Sequence, residues 1–166
     1  MRCNLADIPS PSIPDSFEIK FVKNIPDTKL YSLYLGSFEN GKAQFFKYQT
    51  ESEKKEYFKE LHMKEYADTK LSVVLVDKGK VIGFSYVLEF EPGVKHISCM
   101  CVHPEHQGKG VGSFLLNYII SKAKENGSKS ITLGTEPQMV AYHLYKNNGF
   151  KDVASFKIYG WNKEAS

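Results

Sequence analysis

Three glycines at alternate positions, Gly108, Gly110 and Gly112, sit where an apolar run ending at Val102 gives way to an amphipathic stretch. The full segment reads His103-Pro104-Glu105-His106-Gln107-Gly108-Lys109-Gly110-Val111-Gly112. A helix begins with its first N–H groups unpaired and a partial positive charge, so a glycine-rich turn leading into one can wrap an anion with backbone alone. The competing reading is packing, since glycines also let a helix lie close on a sheet. Spacing excludes two common phosphate loops. The Walker pattern Gly-x-x-x-x-Gly-Lys-Ser/Thr is absent. A dinucleotide turn follows its first strand at once with Gly-x-Gly-x-x-Gly, whereas this triplet is differently spaced, late in the chain and some five residues beyond its strand. His103 and His106 flank the turn, but with no Cys or Asp partner at ligand spacing they do not read as metal ligands.

The elements that must hold this turn follow from periodicity. Phe17 to Val22 alternates like a half-buried strand, and Pro26-Asp27 introduces a helix carrying Leu30, Leu33, Tyr34 and Leu35 that stops near Asn40-Gly41. Thr50-x-x-Glu53 is a capping box opening a charged helix that runs on to Ala67, with Tyr57, Phe58 and Leu61 on its apolar side. Leu71–Val76 and Lys80–Phe90 are β-branched runs joined at Asp77-Lys78-Gly79, a hairpin signature. Pro92-Gly93 turns the chain into the strand His96–Val102. From Gly108 the period becomes helical until Asn126-Gly127. A short strand at Ile131–Gly134, a helix at Gln138–Asn148 and one or two strands within Val153–Trp161 complete the chain. The order predicts an α/β (α+β) fold, a mixed and mostly antiparallel sheet of six to seven strands flanked by about four helices.

The 166 residues suit one globular domain, expected over 16–166, with the proline-rich residues 1–15 an extended lead-in. The 22 basic and 19 acidic residues, net +3, are interleaved, so no nucleic-acid or polybasic membrane patch stands out. Cys3, Cys99 and Cys101 form no ligand-spaced cluster and read as reduced, buried thiols. No secretory leader or apolar stretch of roughly 20 residues is evident, so the expected location is cytoplasmic, with no membrane partner.

Two segments together resemble a known family. Cys101-Val102-His103-Pro104-Glu105-His106-Gln107-Gly108-Lys109-Gly110-Val111-Gly112 is similar to the acyl-CoA signature of the GNAT superfamily of N-acetyltransferases, Val-x-Pro-x-x-Gln/Arg-Gly-x-Gly-x-Gly/Ala. Ala141-Tyr142-His143-Leu144-Tyr145-Lys146-Asn147-Asn148-Gly149-Phe150 is similar to that family's later Ala-x-x-Leu-Tyr-x-x-x-Gly-Phe helix. The likeness extends over residues 16 to 161, although 16 to 70 agree in element order only.

The resemblance implies acetyl-CoA as cosubstrate. Gln107, Gly108, Lys109, Gly110, Val111 and Gly112 would hold its pyrophosphate through their amides, and the backbone of Met100, Cys101 and Val102 would run beside its pantetheine arm like an added strand. Tyr145 matches the tyrosine that protonates the departing thiolate in many members, a role suited to a phenol that keeps its proton at neutral pH. Gln138 stands where an asparagine often contacts the cofactor. A glutamate that some relatives carry on the preceding strand is Leu133 here, so the general base falls to Glu136, His96 or Glu89, or to water alone.

The resemblance also places the acceptor near the first two helices, where Phe38 to Tyr48 is aromatic-rich; this stretch reads either as a pocket wall or as core. The implied reaction is acetyl transfer to a primary amine of a small molecule or peptide by direct attack. The alternative is a non-catalytic acyl-CoA-binding sensor or regulatory module of the same fold. A homodimer is left open.

Overall fold

The structure is a computed structural model that describes residues 1–10, 16–39, 41–61 and 65–157. Its strands are β1 (Arg2–Asn4), β2 (Glu18–Phe21), β3 (Val73–Asp77), β4 (Lys80–Glu91), β5 (Val94–Val102) and β6 (Ser130–Leu133). The helices are α1 (Asp27–Glu39), α2 (Gln44–Lys47), α3 (Glu51–Leu61), α4 (Val111–Glu125) and α5 (Val140–Asn147). The sheet runs β1-β6-β5-β4-β3-β2, with β5 and β6 parallel and every other neighbouring pair antiparallel. No described helix is long and apolar enough to cross a membrane.

Helices cover both faces of the sheet, which is why Val73–Val76 is buried without alternation. Beneath α4, Leu116, Ile119, Ile120 and Ala123 pack with Ile97, Ile131 and Leu133, and α5 adds Tyr145 to that cluster. On the opposite face, Leu30, Leu33 and Tyr34 of α1 pack with Phe84, Tyr86, Cys99 and Cys101. Lys78 and Gly79 both take positive φ (49° and 80°), as a two-residue hairpin turn between right-twisted strands requires. At α3 the capping box forms in both directions, Glu53 N–H donating to Thr50 Oγ1 (3.2 Å) and Thr50 N–H to Glu53 Oε2 (2.7 Å).

Three sequence expectations are corrected. Residues 1–15 are not a lead-in throughout: Arg2–Asn4 pairs antiparallel with Thr132–Ser130 as an edge strand, because Cys3 and Leu5 can bury completely against the α4 layer. Residues 11–15 lie outside the described part. The charged helix does not continue to Ala67. Within the described residues it ends at Leu61, and residues 65–68 instead use their backbone on the sheet, Asp68 N–H donating to Val87 O and Glu89 N–H to Tyr66 O, both at 2.8 Å. Finally, Val153–Lys157 forms no strand and stays exposed after a single bridge from Lys151 to Arg2, while 158–161 lie outside the described residues. The outer edge of β6 is paired by β1.

The feature that prepares a site is a split in the sheet. β5 and β6 pair only from Val94↔Ser130 to Ile97↔Leu133, whereas β5 continues to Val102 on β4 alone. The register between β4 and β5 shifts at the same level, with Tyr86 opposite Cys99 and Val87 opposite Ile97, so that Ser98 has no partner. A bulge bends its strand and increases local twist. β6 ends at Leu133, opposite Ile97, so past that level β5 has no paired neighbour on that side among the described residues, and this open edge forms a wedge along Cys99 to Val102.

Candidate active site

The glycine turn lies at the top of this wedge. Pro104–His106 forms one 3₁₀ turn, and Gly108 (φ 71°) and Gly110 (φ 84°) both take the left-handed conformation that residues with a Cβ avoid. Gly110 caps α4, and Phe114 N–H returns to Gly110 O at 2.9 Å. Among the described residues, the amides of Gly108, Lys109, Gly110, Val111 and Gly112 have no hydrogen-bond partner. Successive N–H groups in alternating conformations make a concave cradle for an anion, and the α4 dipole adds positive potential. Gly112 has ordinary φ, and a Cβ there would meet Leu144 at 3.5 Å and Val102 at 3.9 Å, ordinary contact distances, so neither conformation nor packing demands glycine at that position.

Gln107 does not join that cradle. Its amide donates to Pro104 O (3.3 Å), and its side chain donates to Val102 O (3.0 Å) and Ser37 O (3.4 Å). Val102 N–H donates to Ser37 Oγ at 3.3 Å. Both backbone groups of Val102 are thus taken by side chains, and Ser37, a residue the sequence gave no reason to single out, ties α1 to the strand end. Cys99 and Cys101 point to the α1 face with sulfurs 3.3 Å apart, and burial pushes the Cys101 thiol well up. Met100 and Val102 pack on the α4 face.

Tyr145, on α5, is almost fully buried against Phe150, with ring centroids 5.7 Å apart. Burial pushes its phenol up, and the ring sits in the cluster that Met100 of β5 borders, beside the wedge.

The three base candidates separate clearly. Glu89 is bonded to the Lys95 ammonium and accepts Gly93 N–H at 2.9 Å; the Lys95 bond, helped by Gly93, holds its carboxyl below the usual range. Lys95 also meets Asp68 at 2.6 Å, completing an ion triad around the buried ammonium, with both carboxylates partly exposed. Glu136 accepts the amides of Gln44 (3.0 Å) and Phe45 (3.1 Å), so its carboxylate caps α2. Gln138, expected near the cofactor, bonds to Glu136 and to Lys42 O (3.5 Å) instead. His96 differs from both carboxylates. Its Nδ1 lies 2.9 Å from Thr132 Oγ1, and that hydroxyl donates its one proton to Lys95 O at 3.4 Å. Thr132 must then accept from His96 Nδ1–H, which leaves Nε2 as the acceptor nitrogen. Burial lowers the imidazole below its ordinary value, so it is neutral at pH 7.

The aromatic stretch from Phe38 is largely core: Phe46 is buried, and Phe38 meets Tyr34 (5.2 Å) and Phe45 (5.6 Å) edge to face, while Tyr48 is exposed. A cleft of about 820 Å³ opens between α1 and the β3–β4 hairpin, bordered by Lys29, Gly36, Lys80, His103 and Pro104; no acid or base candidate borders it. The sequence offers His103 and His106 no Cys or Asp at ligand spacing, but the 3₁₀ turn brings Glu105 alongside, and one ligand atom of each residue lies within 4.8 Å of the others.

A mixed sheet split between two parallel strands, with an unpartnered glycine turn leading into a helix at the mouth of the split, defines an acyltransferase-type scaffold. The chain belongs to the acetyltransferase (GNAT) family, whose model matches residues 28–150. It is 42% identical over 60 residues to the L-amino acid N-acyltransferase MnaT of Escherichia coli, covering 36% of this chain and 35% of that protein. It is 34% identical over 79 residues to an L-methionine sulfoximine/L-methionine sulfone acetyltransferase of Salmonella typhimurium, covering 47% and 42%. These matches span well under half the length of either relative. The PaiA N-acetyltransferase of Thermoplasma acidophilum, solved with coenzyme A, shares the fold: TM-score 0.64, 18% identity, over 82% of this chain and 90% of that one.

Proposed function

We propose that this chain is an N-acetyltransferase that moves the acetyl group of acetyl-CoA to a primary amine of a small molecule or peptide. The observation that carries the reading is the run of unpartnered amides at Gly108–Gly112 opening on a wedge beside Tyr145. The cradle suits a pyrophosphate, and the free backbone edge of Ser98–Cys101 suits an extended pantetheine arm. Gln107 leaves Val102 O as that arm enters.

In the proposed reaction the amine nitrogen attacks the thioester carbonyl, the C–N bond forms and the C–S bond breaks. His96 Nε2 takes the amine proton, directly or through water, with Thr132 fixing its tautomer. Tyr145 donates its phenolic proton toward the leaving sulfur. Burial raises the phenol, but a thiolate in the same wedge is destabilised by the same burial, so the proton match between them is largely preserved. Glu136 and Gln138 act on the acceptor side, fastening the segment around α2 to the loop before α5.

The test is release of free CoA thiol from acetyl-CoA across a panel of amines. α-Amino acids head the panel because the two partial relatives named above act on amino acids or their analogues; peptide N-termini, polyamines and aminoglycosides follow. Turnover with one class supports the reading. Tight CoA binding with no turnover on any amine would replace it with the binding module, to which the missing strand carboxylate at Leu133 points.

A further inference from the structure

We propose that His103, Glu105 and His106 form a binding site for a zinc-class divalent cation on the 3₁₀ turn ahead of the glycine cradle. The three residues occupy four consecutive positions, His103-Pro104-Glu105-His106, and the turn over Pro104–His106 gathers their ligand atoms within 4.8 Å of one another. The donor set, two imidazoles and a carboxylate, is that of zinc and its neighbours rather than of magnesium or calcium.

Each residue has a donor atom to give. His106 Nδ1 is shut off from solvent with no hydrogen-bond partner among the described residues, an arrangement that is costly for a buried polar atom. His103 Nδ1 accepts Glu105 N–H at 3.2 Å, so it is the unprotonated ring nitrogen; it lies 3.8 Å from Glu105 Oε2 and would exchange that long hydrogen bond for the metal bond. Glu105 Oε2 also receives Lys80 Nζ at 2.8 Å, while Oε1 has no described partner. The carboxylate can therefore ligate through one oxygen without losing its ion pair. Ligands of one zinc ion stand about 3.3 Å apart, from bond lengths near 2.0–2.1 Å and tetrahedral angles. The contraction from 4.8 Å falls to the exposed Glu105 side chain and to rotation of the two rings, whose centroids are 5.6 Å apart at 82°. Proline in the turn limits the backbone freedom lost on closing the site. His103 borders the 820 Å³ cleft, so the remaining coordination positions have room for water.

The experiment is titration of the untagged, CoA-free chain with Co²⁺ and Zn²⁺ alone, read by cobalt d–d absorption and by thermal unfolding. One equivalent of Co²⁺ should give the intensified visible bands of a low-coordinate N/O site, and Zn²⁺ should displace it and raise the melting temperature. His106→Ala and, independently, His103→Ala should each weaken affinity at least tenfold, and Glu105→Gln should weaken it too. His143→Ala, an exposed histidine on α5, should leave binding unchanged. Circular dichroism of each variant separates lost folding from lost ligation, and the two histidine variants do not both have to fold for the test to decide. The proposal is overturned by the absence of stoichiometric binding, by binding that survives both histidine changes, or by a strong thiolate charge-transfer band lost in Cys99→Ser, which would put the ion on the cysteines.

Discussion

At the glycine turn, the amides of Gly108 to Gly112 stand without partners among the described residues; at the start of α2, the amides of Gln44 and Phe45 are held by the carboxylate of Glu136. One region is unfinished backbone that a ligand must complete, and its shape depends on φ values only glycine adopts readily. The other is completed from within, by a side chain 92 positions from the first amide it binds. A backbone site is encoded locally, and so it changes little as side chains around it vary. A clasp made by distant side chains is free to differ from one family member to another, which is where differences in acceptor choice would reside.

The sharpest way to break this contrast is Gly110→Asp. An aspartate at φ 84° is strained and puts a negative charge against the cradle, so CoA affinity should fall by roughly 100-fold, about 2.7 kcal/mol, in calorimetry. Unchanged affinity would remove the turn from the binding site. Next in size, Tyr145→Phe should lower kcat by about 10²-fold while the Kd for acetyl-CoA stays near normal, as expected for a group that acts only as the thiolate departs. An unaltered kcat would make Tyr145 a packing residue.

The pH profile then tests the base. With its pKa held below the usual imidazole value of about 6.5, His96 is protonated only in acid, so kcat/KM should fall as pH drops through that lowered value and stay level above it. His96→Gln should cut the plateau about tenfold and abolish that acid limb; a limb that persists belongs to another group. The smallest effect is expected at the start of α2. Glu136→Ala frees two amides at the start of α2 and should cost about 1 kcal/mol of stability, with a several-fold rise in acceptor KM and little change in acetyl-CoA affinity. If kcat collapsed instead with KM constant, Glu136 rather than His96 would be the group that handles the proton.

The same division governs what the sequence makes legible. Gly108-x-Gly110 and Leu144-Tyr145 carry their meaning in local spacing, and the hairpin at Lys78-Gly79 and the capping box at Thr50 and Glu53 formed as read. Long-range pairings are another matter. Nothing near Arg2–Asn4 announces a partner at Thr132–Ser130, and the prolines that follow suggest a loose segment rather than an edge strand. Glu136 and Glu89 look alike as isolated carboxylates. Only the fold shows that one caps a helix and the other is drawn into the Lys95 ion triad. Thr132, which decides the tautomer of His96, could have been suspected from parallel pairing of the two strands, but not before their register was known.

The paired thiols of Cys99 and Cys101 carry a consequence for chemical fidelity. A sulfhydryl beside a thioester steals its acyl group only as the thiolate, and these sulfurs, 3.3 Å apart in the floor of the wedge, belong to a strand where burial holds Cys101 firmly protonated. A chain that receives acetyl-CoA there would meet, at Cys101, sulfur that is too poor a nucleophile to be acylated by it. The price of opening the wedge to bulk water, by whatever change, would be an enzyme that begins to modify itself.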